Sequence, residues 1–194
     1  MADAGQVSVL RTPWRLVALP VVLACAALVL PAGASAAAPC RDAGLMPSSA
    51  NLTGVRAATL CLINAERSRR GLKPLTSNSK LREVALRYSL LMVRERFFSH
   101  VSPSGSTLIS RVRSQTTYLR GARSSALGEN ISWGSGVHGT PLSTVTAWMS
   151  SPAHRAEILT RGFRSIGIGI AGGAPLATAG SPAVTYTTVF GRRS

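Results

Sequence analysis

The stretch Gly128-Glu129-Asn130-Ile131-Ser132 decides how the rest of the chain is read, because Glu129 is the only acidic residue between Glu95 and Glu157. The chain holds 22 Lys plus Arg against 7 Asp plus Glu in 194 residues, so a lone carboxylate between a glycine and an apolar alternation calls for a dedicated partner rather than a solvated surface. Two histidines flank it in sequence. His100 closes Phe97-Phe98-Ser99-His100, and His154 sits in Ser151-Pro152-Ala153-His154-Arg155. Ile131-Ser132-Trp133 alternates as a short strand after a Gly-Glu-Asn turn. Gly134 to Gly139 then reads as a loop carrying a solvated His138.

Upstream of this stretch the periodicity is helical. Val55 to Arg70 has neither proline nor glycine and repeats apolar residues at Val55, Ala58, Leu62 and Ala65, a helix ended by Gly71. Ser79 is positioned to cap a second helix, whose stripe is Leu81, Val84, Ala85, Tyr88, Leu91 and Met92 and which delivers Phe97 and Phe98 to the core. Ser102-Pro103-Ser104-Gly105 is a turn by composition, Thr107 to Arg113 a short helix, and Thr116 to Leu127 an exposed basic loop. Downstream, Thr140-Pro141 and Ser151-Pro152 each place a proline at a first helical position. The first of these helices has Leu142, Val145, Trp148 and Met149 as its buried face, and the second runs through Leu159. Trp148 and Trp133 read as core residues. Ser165 to Ile170 alternates as a strand, Val184 to Phe190 is rich in β-branched and aromatic residues, and Gly172 to Pro182 joins them as a loop between antiparallel neighbours. Helices first, then strands interspersed with short helices, point to an α+β or layered α/β domain.

The N-terminal residues 1–38 read as a secretory signal peptide. Arg11 and Arg15 form the positive region, Leu16 to Leu30 the apolar region, and Ala32-Gly33-Ala34 or Ala34-Ser35-Ala36 the cleavage site. An uncleaved anchor competes, but Pro20, Pro31 and a run shorter than the roughly 20 residues of a membrane span disfavour it. Lipidation at Cys25 is disfavoured because the apolar run continues beyond it to Leu30. Removing 38 of the 194 residues leaves 156, enough for one domain preceded by a linker arm over 39–54. Cys40 and Cys61 then remain, and an even count in an oxidising compartment predicts one disulfide between the arm and the first helix, with two unpaired thiols as the alternative.

Arg11, Arg15 and Asp3 leave with the signal, so the mature chain carries 20 basic and 6 acidic residues, a formal +14. An exported protein of that charge adheres to anionic envelope polymers or lipid head groups. Specific nucleic-acid binding rests on charge alone, and export argues against it. A solvated basic surface without a dedicated partner is an equally good account of the charge.

Several ordered motifs together carry a resemblance. Asn64-Ala65-Glu66-Arg67 with Gly71-Leu72-Lys73-Pro74-Leu75, Phe97-Phe98-Ser99-His100 with Ser102-Pro103 and Gly105, Gly128-Glu129-Asn130-Ile131, Trp148 through Arg155 with Ile158-Leu159, and Ile166-Gly167-Ile168-Gly169 closely resemble the bacterial branch of the CAP superfamily. That superfamily comprises cysteine-rich secretory, antigen 5 and pathogenesis-related 1 proteins, also called SCP-like. The resemblance runs from about Leu60 to Phe190 and implies a domain over 55–194 folded as an α-β-α sandwich with a central, largely antiparallel sheet. It also implies that His100 and Glu129 line a central cleft, which in some members holds a divalent metal such as zinc. With His154 they make a three-ligand set with an open position for water. His154 at a helix start feels the positive dipole end, which favours the neutral ring a metal needs. One departure is that the glutamate many members carry three residues after the tryptophan is Ser151 here. The competing reading of the three side chains is structural: a loop-bridging His100, a Glu129 anchored by backbone N–H groups, and a polar helix start at His154-Arg155.

Two functions follow from the resemblance. One is a secreted, non-enzymatic binding module at the cell envelope with a lipid, glycan or protein ligand. The other is a metal-dependent, protease-like hydrolase using a zinc-bound water with Glu129 as ligand or base. No HExxH, nucleophile elbow or Ser-His-Asp signature supports the second.

Overall fold

Alternating isoleucine and small residues over Ser165–Gly172 build the strand, β3, against which two helical layers close. The computed structural model describes residues 40–176 and 182–194, so the expected signal peptide and the middle of the expected Gly172 to Pro182 loop lie outside the described residues. The elements run α1 (Leu52–Ser68), β1 (Thr76–Ser77), α2 (Ser79–Glu95), α3 (Leu108–Gln115), β2 (Ser125–Ser135), a short 3-10 turn (Gly136–Gly139), α4 (Pro141–Ser150), α5 (Pro152–Leu159), β3 and β4 (Ala183–Arg193). The four strands lie in the order β1-β3-β4-β2. β4 pairs antiparallel with both β3 and β2, while the two-residue β1 runs parallel to β3, so the sheet is mixed.

Successive side chains of a strand leave opposite faces of the sheet. On one face Ile166, Ile168 and Ile170 of β3 join Val184, Tyr186 and Phe190 of β4 beneath Val55 and Ile63 of α1, Val145 and Trp148 of α4, and Ile158 of α5. On the other, Gly167 and Gly169 leave α2 free to descend onto the strand: a Cβ at Gly167 would overlap the backbone of Leu81 and Arg82, and one at Gly169 that of Ala85 and Leu86. Leu81, Val84 and Ala85 of α2 pack there with Val112 of α3, Tyr118 and Val189, and Tyr88 and Met92 with Ile131. The architecture is the expected α+β sandwich of helices on both faces of a sheet.

Several local expectations are corrected. Gly128-Glu129-Asn130 is not a turn but the interior of the eleven-residue β2, paired along its whole length with β4. A Cβ at Gly128 would meet the Glu157 carboxylate on α5 and the tip of the Phe163 ring, so a larger residue there displaces both side chains. The expected basic loop over 116–127 ends in that strand and buries Tyr118, 2 % exposed, in the α2 layer. The cap of α2 is Asn78, whose side chain accepts from Leu81 N at 3.1 Å, not Ser79. At its other end Arg96 takes a left-handed conformation (φ 53°) and turns the chain, so Phe97 packs edge-on to Tyr88 at 6.0 Å while Phe98 remains on the surface. Leu142 likewise faces solvent and Thr144 takes the inner position on α4. The linker arm is shorter than expected, since α1 begins at Leu52. Trp133 is half-buried, Trp148 fully so, and the Trp148 indole N–H donates to Ile131 O at 3.1 Å.

Cys40 and Cys61 form a disulfide, with Cα atoms 5.8 Å apart across 21 residues of sequence. Closing a loop of that size stabilises the fold by about 3 kcal/mol in the chain-entropy model. The dependence on close helix–strand approach is directly testable by urea denaturation. Gly169→Val is expected to cost about 3 kcal/mol or more, because the obstacle is helix backbone rather than a movable side chain. Gly172→Ala, at the end of the same strand with no atom within 4 Å of the added carbon, is expected to be close to neutral.

Candidate functional site

Glu129 pairs with Val189 across the sheet and shares that residue's face, so its carboxylate is directed toward the α2–α3 layer and is buried, with its side chain 3 % exposed. Burying a charge in this layer requires a counter-charge. Arg111 of α3 supplies it: one guanidinium nitrogen donates to Glu129 Oε2 at 2.6 Å, and the arginine side chain is itself 2 % exposed. The helix that presents Arg111 is started by a reciprocal Thr107–Ser110 capping box. The other terminal nitrogen donates to His100 O (3.1 Å) and Ser106 O (2.9 Å), which pins the loop between α2 and α3. The guanidinium carbon lies 3.4 Å from the centre of the Tyr88 ring, a cation–π contact, and the Tyr88 hydroxyl donates to Ser99 O at 2.7 Å. Burial is the main reason that the Tyr88 hydroxyl is pushed up to about 12. Arg111 Nε is buried with no hydrogen-bond partner among the described residues.

His100 sits over this buried pair with its ring half-exposed and Nδ1 2.9 Å from Glu129 Oε1. A carboxylate only accepts, so Nδ1 carries the proton and Nε2 is the nitrogen left for a ligand. His154 is placed differently. It lies in the first turn of α5, against the opposite face of β2, where its carbonyl accepts from Asn130 Nδ2 at 3.0 Å. Burial, and secondarily the charge of His100, hold the His154 ring below the usual histidine value. Glu157, one turn further along α5, is pushed up from the usual carboxylate value by burial, with His100 opposing. The electrostatic reach of His100 therefore extends to both α5 side chains, but only Glu129 is in direct contact with it.

This donor set does not fit a three-ligand zinc centre. Both Glu129 oxygens are already engaged, one by a buried cation, and among the described residues no three His, Cys, Asp or Glu side chains form a group able to hold a metal ion. Arg111 and Glu157 are the site residues that sequence reading missed. The isolated carboxylate signalled that a cation must exist, but the chain's arginines are too numerous for spacing alone to choose one.

The sequence model of the CAP family, described as the cysteine-rich secretory protein family, matches residues 60–189. The chain belongs to that family. In this CAP domain the matched span contains the whole His100–Arg111–Glu129 assembly. The uncharacterized protein YkwD of Bacillus subtilis (strain 168) is 37 % identical over 108 residues, covering 56 % of this chain and 39 % of that protein. An extracellular protein containing an SCP domain from Bacillus anthracis is 25 % identical, with a TM-score of 0.54 over 71 % of this chain and 42 % of that one. The CAP chain thus spans about two fifths of the length of either relative. An outer surface protein from Borrelia burgdorferi shares the fold at 22 % identity, with a TM-score of 0.53 over 68 % of this chain and 87 % of that one.

Two measurements probe the site. Arg111→Met strands the Glu129 carboxylate in a buried layer and is expected to cost roughly 3–5 kcal/mol in chemical denaturation, whereas His100→Ala is expected to cost about 1 kcal/mol or less. A loss for Arg111→Met no larger than for His100→Ala would remove the buried-pair account. The His154 shift predicts a pH effect of defined sign. With its folded value below the unfolded 6.5, its contribution is full above pH 6.5 and is lost as pH falls from there through the folded value. Denaturation midpoints at about pH 7.5 and about pH 5.5 are expected to differ less in His154→Gln than in the parent protein.

Proposed function

We propose that this CAP domain is exported and acts as a non-enzymatic binding module at the cell envelope or outside the cell, taking a polar ligand at the cleft around His100 and Glu129. The observation that supports this reading is the way Glu129 is used. One of its oxygens accepts from Arg111 and the other from His100, so the carboxylate is held by a buried cation and orients an imidazole at the surface. The outward Nε2 of a neutral His100 accepts a hydrogen bond from a ligand hydroxyl, and the protonated ring donates to an anionic oxygen. A glycan or an anionic envelope polymer offers one or both groups. The description of the Bacillus anthracis relative as extracellular supports export, and so does the Cys40–Cys61 disulfide, since such bonds persist in oxidising compartments. No helix among the described residues is long and apolar enough to cross a membrane.

The metal-dependent hydrolase is the alternative reading, and one set of experiments separates the two. Retention of the purified protein on isolated envelope material is expected to fall steeply between about 50 mM and about 500 mM salt, as screening shortens the reach of exposed charges. The retention that persists at the lower salt is expected to weaken in His100→Ala. Zinc is expected to leave the melting temperature unchanged, whereas a metal at 100 times its dissociation constant adds about 2.7 kcal/mol. A zinc-dependent rise in melting temperature, accompanied by peptide hydrolysis that disappears in His100→Ala, would replace the binding module with the hydrolase.

A further inference from the structure

Six arginines gather at one end of the sheet, where β3 begins and β4 ends. Arg164 immediately precedes β3, and its N–H donates to Gly191 O at 3.0 Å, which seats it beside Arg192. The Arg192 side chain runs over Gly162, its Cδ 3.8 Å from where a Cβ on that glycine would lie, so Arg161, Arg164 and Arg192 are neighbours. The next residue of the strand leaves the opposite face. There Arg193 donates to Tyr118 O at 2.7 Å, with its guanidinium 5.9 Å from the centre of the Tyr118 ring. The turn that carries Arg120 and Arg123 is tied to the same strand end, since Arg123 N–H donates to Ser194 O at 2.7 Å and Ser194 N–H to Ser124 O at 3.1 Å.

All six side chains belong to exposed residues. Among the described residues none of the six has a carboxylate within ion-pair distance. Only Arg164 and Arg193 direct guanidinium donors to the protein, at the carbonyls of Arg161, Phe163 and Tyr118. The charge of Arg164 also reaches inward: after burial, it is the second reason that the Arg67 guanidinium is held below its usual range. Like charges brought this close repel one another, and the described chain places no anion between them.

We propose that this arginine end binds a linear polymer of phosphodiester-linked polyols, a polyanion without bases or acyl chains. The six cations are carried by the ends of β3, β4 and β2, whose outer members lie about 10 Å apart, so they match several anionic groups on one chain better than one small anion. A guanidinium fork donates two parallel hydrogen bonds to one phosphate. Nucleic-acid strands and lipid surfaces also present phosphates, but each relies on a feature that this end lacks. Single strands stack on exposed aromatic rings, whereas Tyr118, Phe163 and Phe190 are buried here. Lipid surfaces take up exposed apolar side chains, and none of the exposed large apolar residues lies in 116–126, 160–165 or 188–194. The site is separate from the His100 cleft: four residues of β2, about 13 Å of strand, lie between Ser125 beside Arg193 and Glu129. It rests on the proposed export only for access to such a polymer.

The probe is end-labelled poly(glycerol phosphate), titrated into the disulfide-bonded protein, with free glycerol phosphate, oligothymidine DNA and phosphatidylglycerol vesicles as parallel arms. The polymer is expected to bind most tightly, with log affinity falling against log salt at a slope of about −2.8, the value for four phosphates on a single strand. Arg161→Gln with Arg192→Gln is expected to weaken the polymer at least about tenfold, to bring the slope to about −1.4 and to leave the melting temperature unchanged. Arg41→Gln with Arg96→Gln removes the same charge from the far end of the domain, where Ala43 O accepts from Leu142 N–H and Val93 lies against Gly173, and is expected to weaken binding less than about twofold. Equal losses in the two pairs would reduce the interaction to net charge and overturn the site. A loss in His100→Ala as large as in the Arg161 and Arg192 pair would move the polymer to the cleft and overturn it as well. Polymer binding no tighter than that of free glycerol phosphate, DNA or vesicles would overturn the assignment of the ligand.

Discussion

Helix α2 rests on the bare backbone of β3, and the rest of the molecule is positioned by that contact. Gly167 lies under Leu81 and Arg82, and Gly169 under Ala85 and Leu86. Four helical residues rise about 6 Å and two strand residues span about 6.6 Å, so one helical turn matches one glycine repeat and the helix runs along the strand. The next turn delivers Tyr88, Ser89 and Met92 to fixed places over the sheet. Ser89 Oγ bonds Thr187 Oγ1 at 2.9 Å, and the Tyr88 ring receives the guanidinium of Arg111. A wider helix–sheet gap would leave Arg111 without its aromatic floor and Glu129 without a dry enclosure.

Two buried arginines illustrate how differently this chain uses the same side chain. Among the described residues Arg67 has no carboxylate partner and is held by backbone carbonyls, donating to Lys73 O (2.9 Å), Ile158 O (2.6 Å) and Thr160 O (3.1 Å). Two of those carbonyls lie at the C-terminal end of α5, where the helix dipole favours a cation, so Arg67 ties α1 to α5 as a structural clamp. Arg111 instead neutralises Glu129 and anchors the His100 loop. One arginine therefore holds a layer together and the other sets the electrostatics of a surface cleft.

The His100 cleft beside β2 and the paired guanidinium groups of Arg56 and Arg82 beside β3 lie on opposite sides of β4 in the four-stranded sheet. At about 4.8 Å between neighbouring strands, β3 and β2 lie about 10 Å apart with β4 between them.

Sequence by itself determined the parts of this protein that depend on local periodicity. The apolar stripe of α2, the Thr140-Pro141 and Ser151-Pro152 helix starts, the alternation in β3 and β4 and the Cys40–Cys61 pairing were legible, because each rests on residue types at fixed short spacing or on a count of two. Of the α1 stripe only Val55 and Ala58 are fully buried, Ile63 and Arg67 taking the inner positions in place of Leu62 and Ala65. Ordered motifs carried the family, and with it the layered fold and the nearness of His100 to Glu129. Tertiary structure alone decided the rest. It drew Gly128-Glu129-Asn130 into a long strand, because pairing with β4 outweighs the turn tendency of Gly and Asn. It chose Arg111 from many arginines as the partner of Glu129, and it placed His154 on the other face of β2. The physical reason is that charge pairing and burial act through space, between residues whose separation along the chain carries no periodic signal.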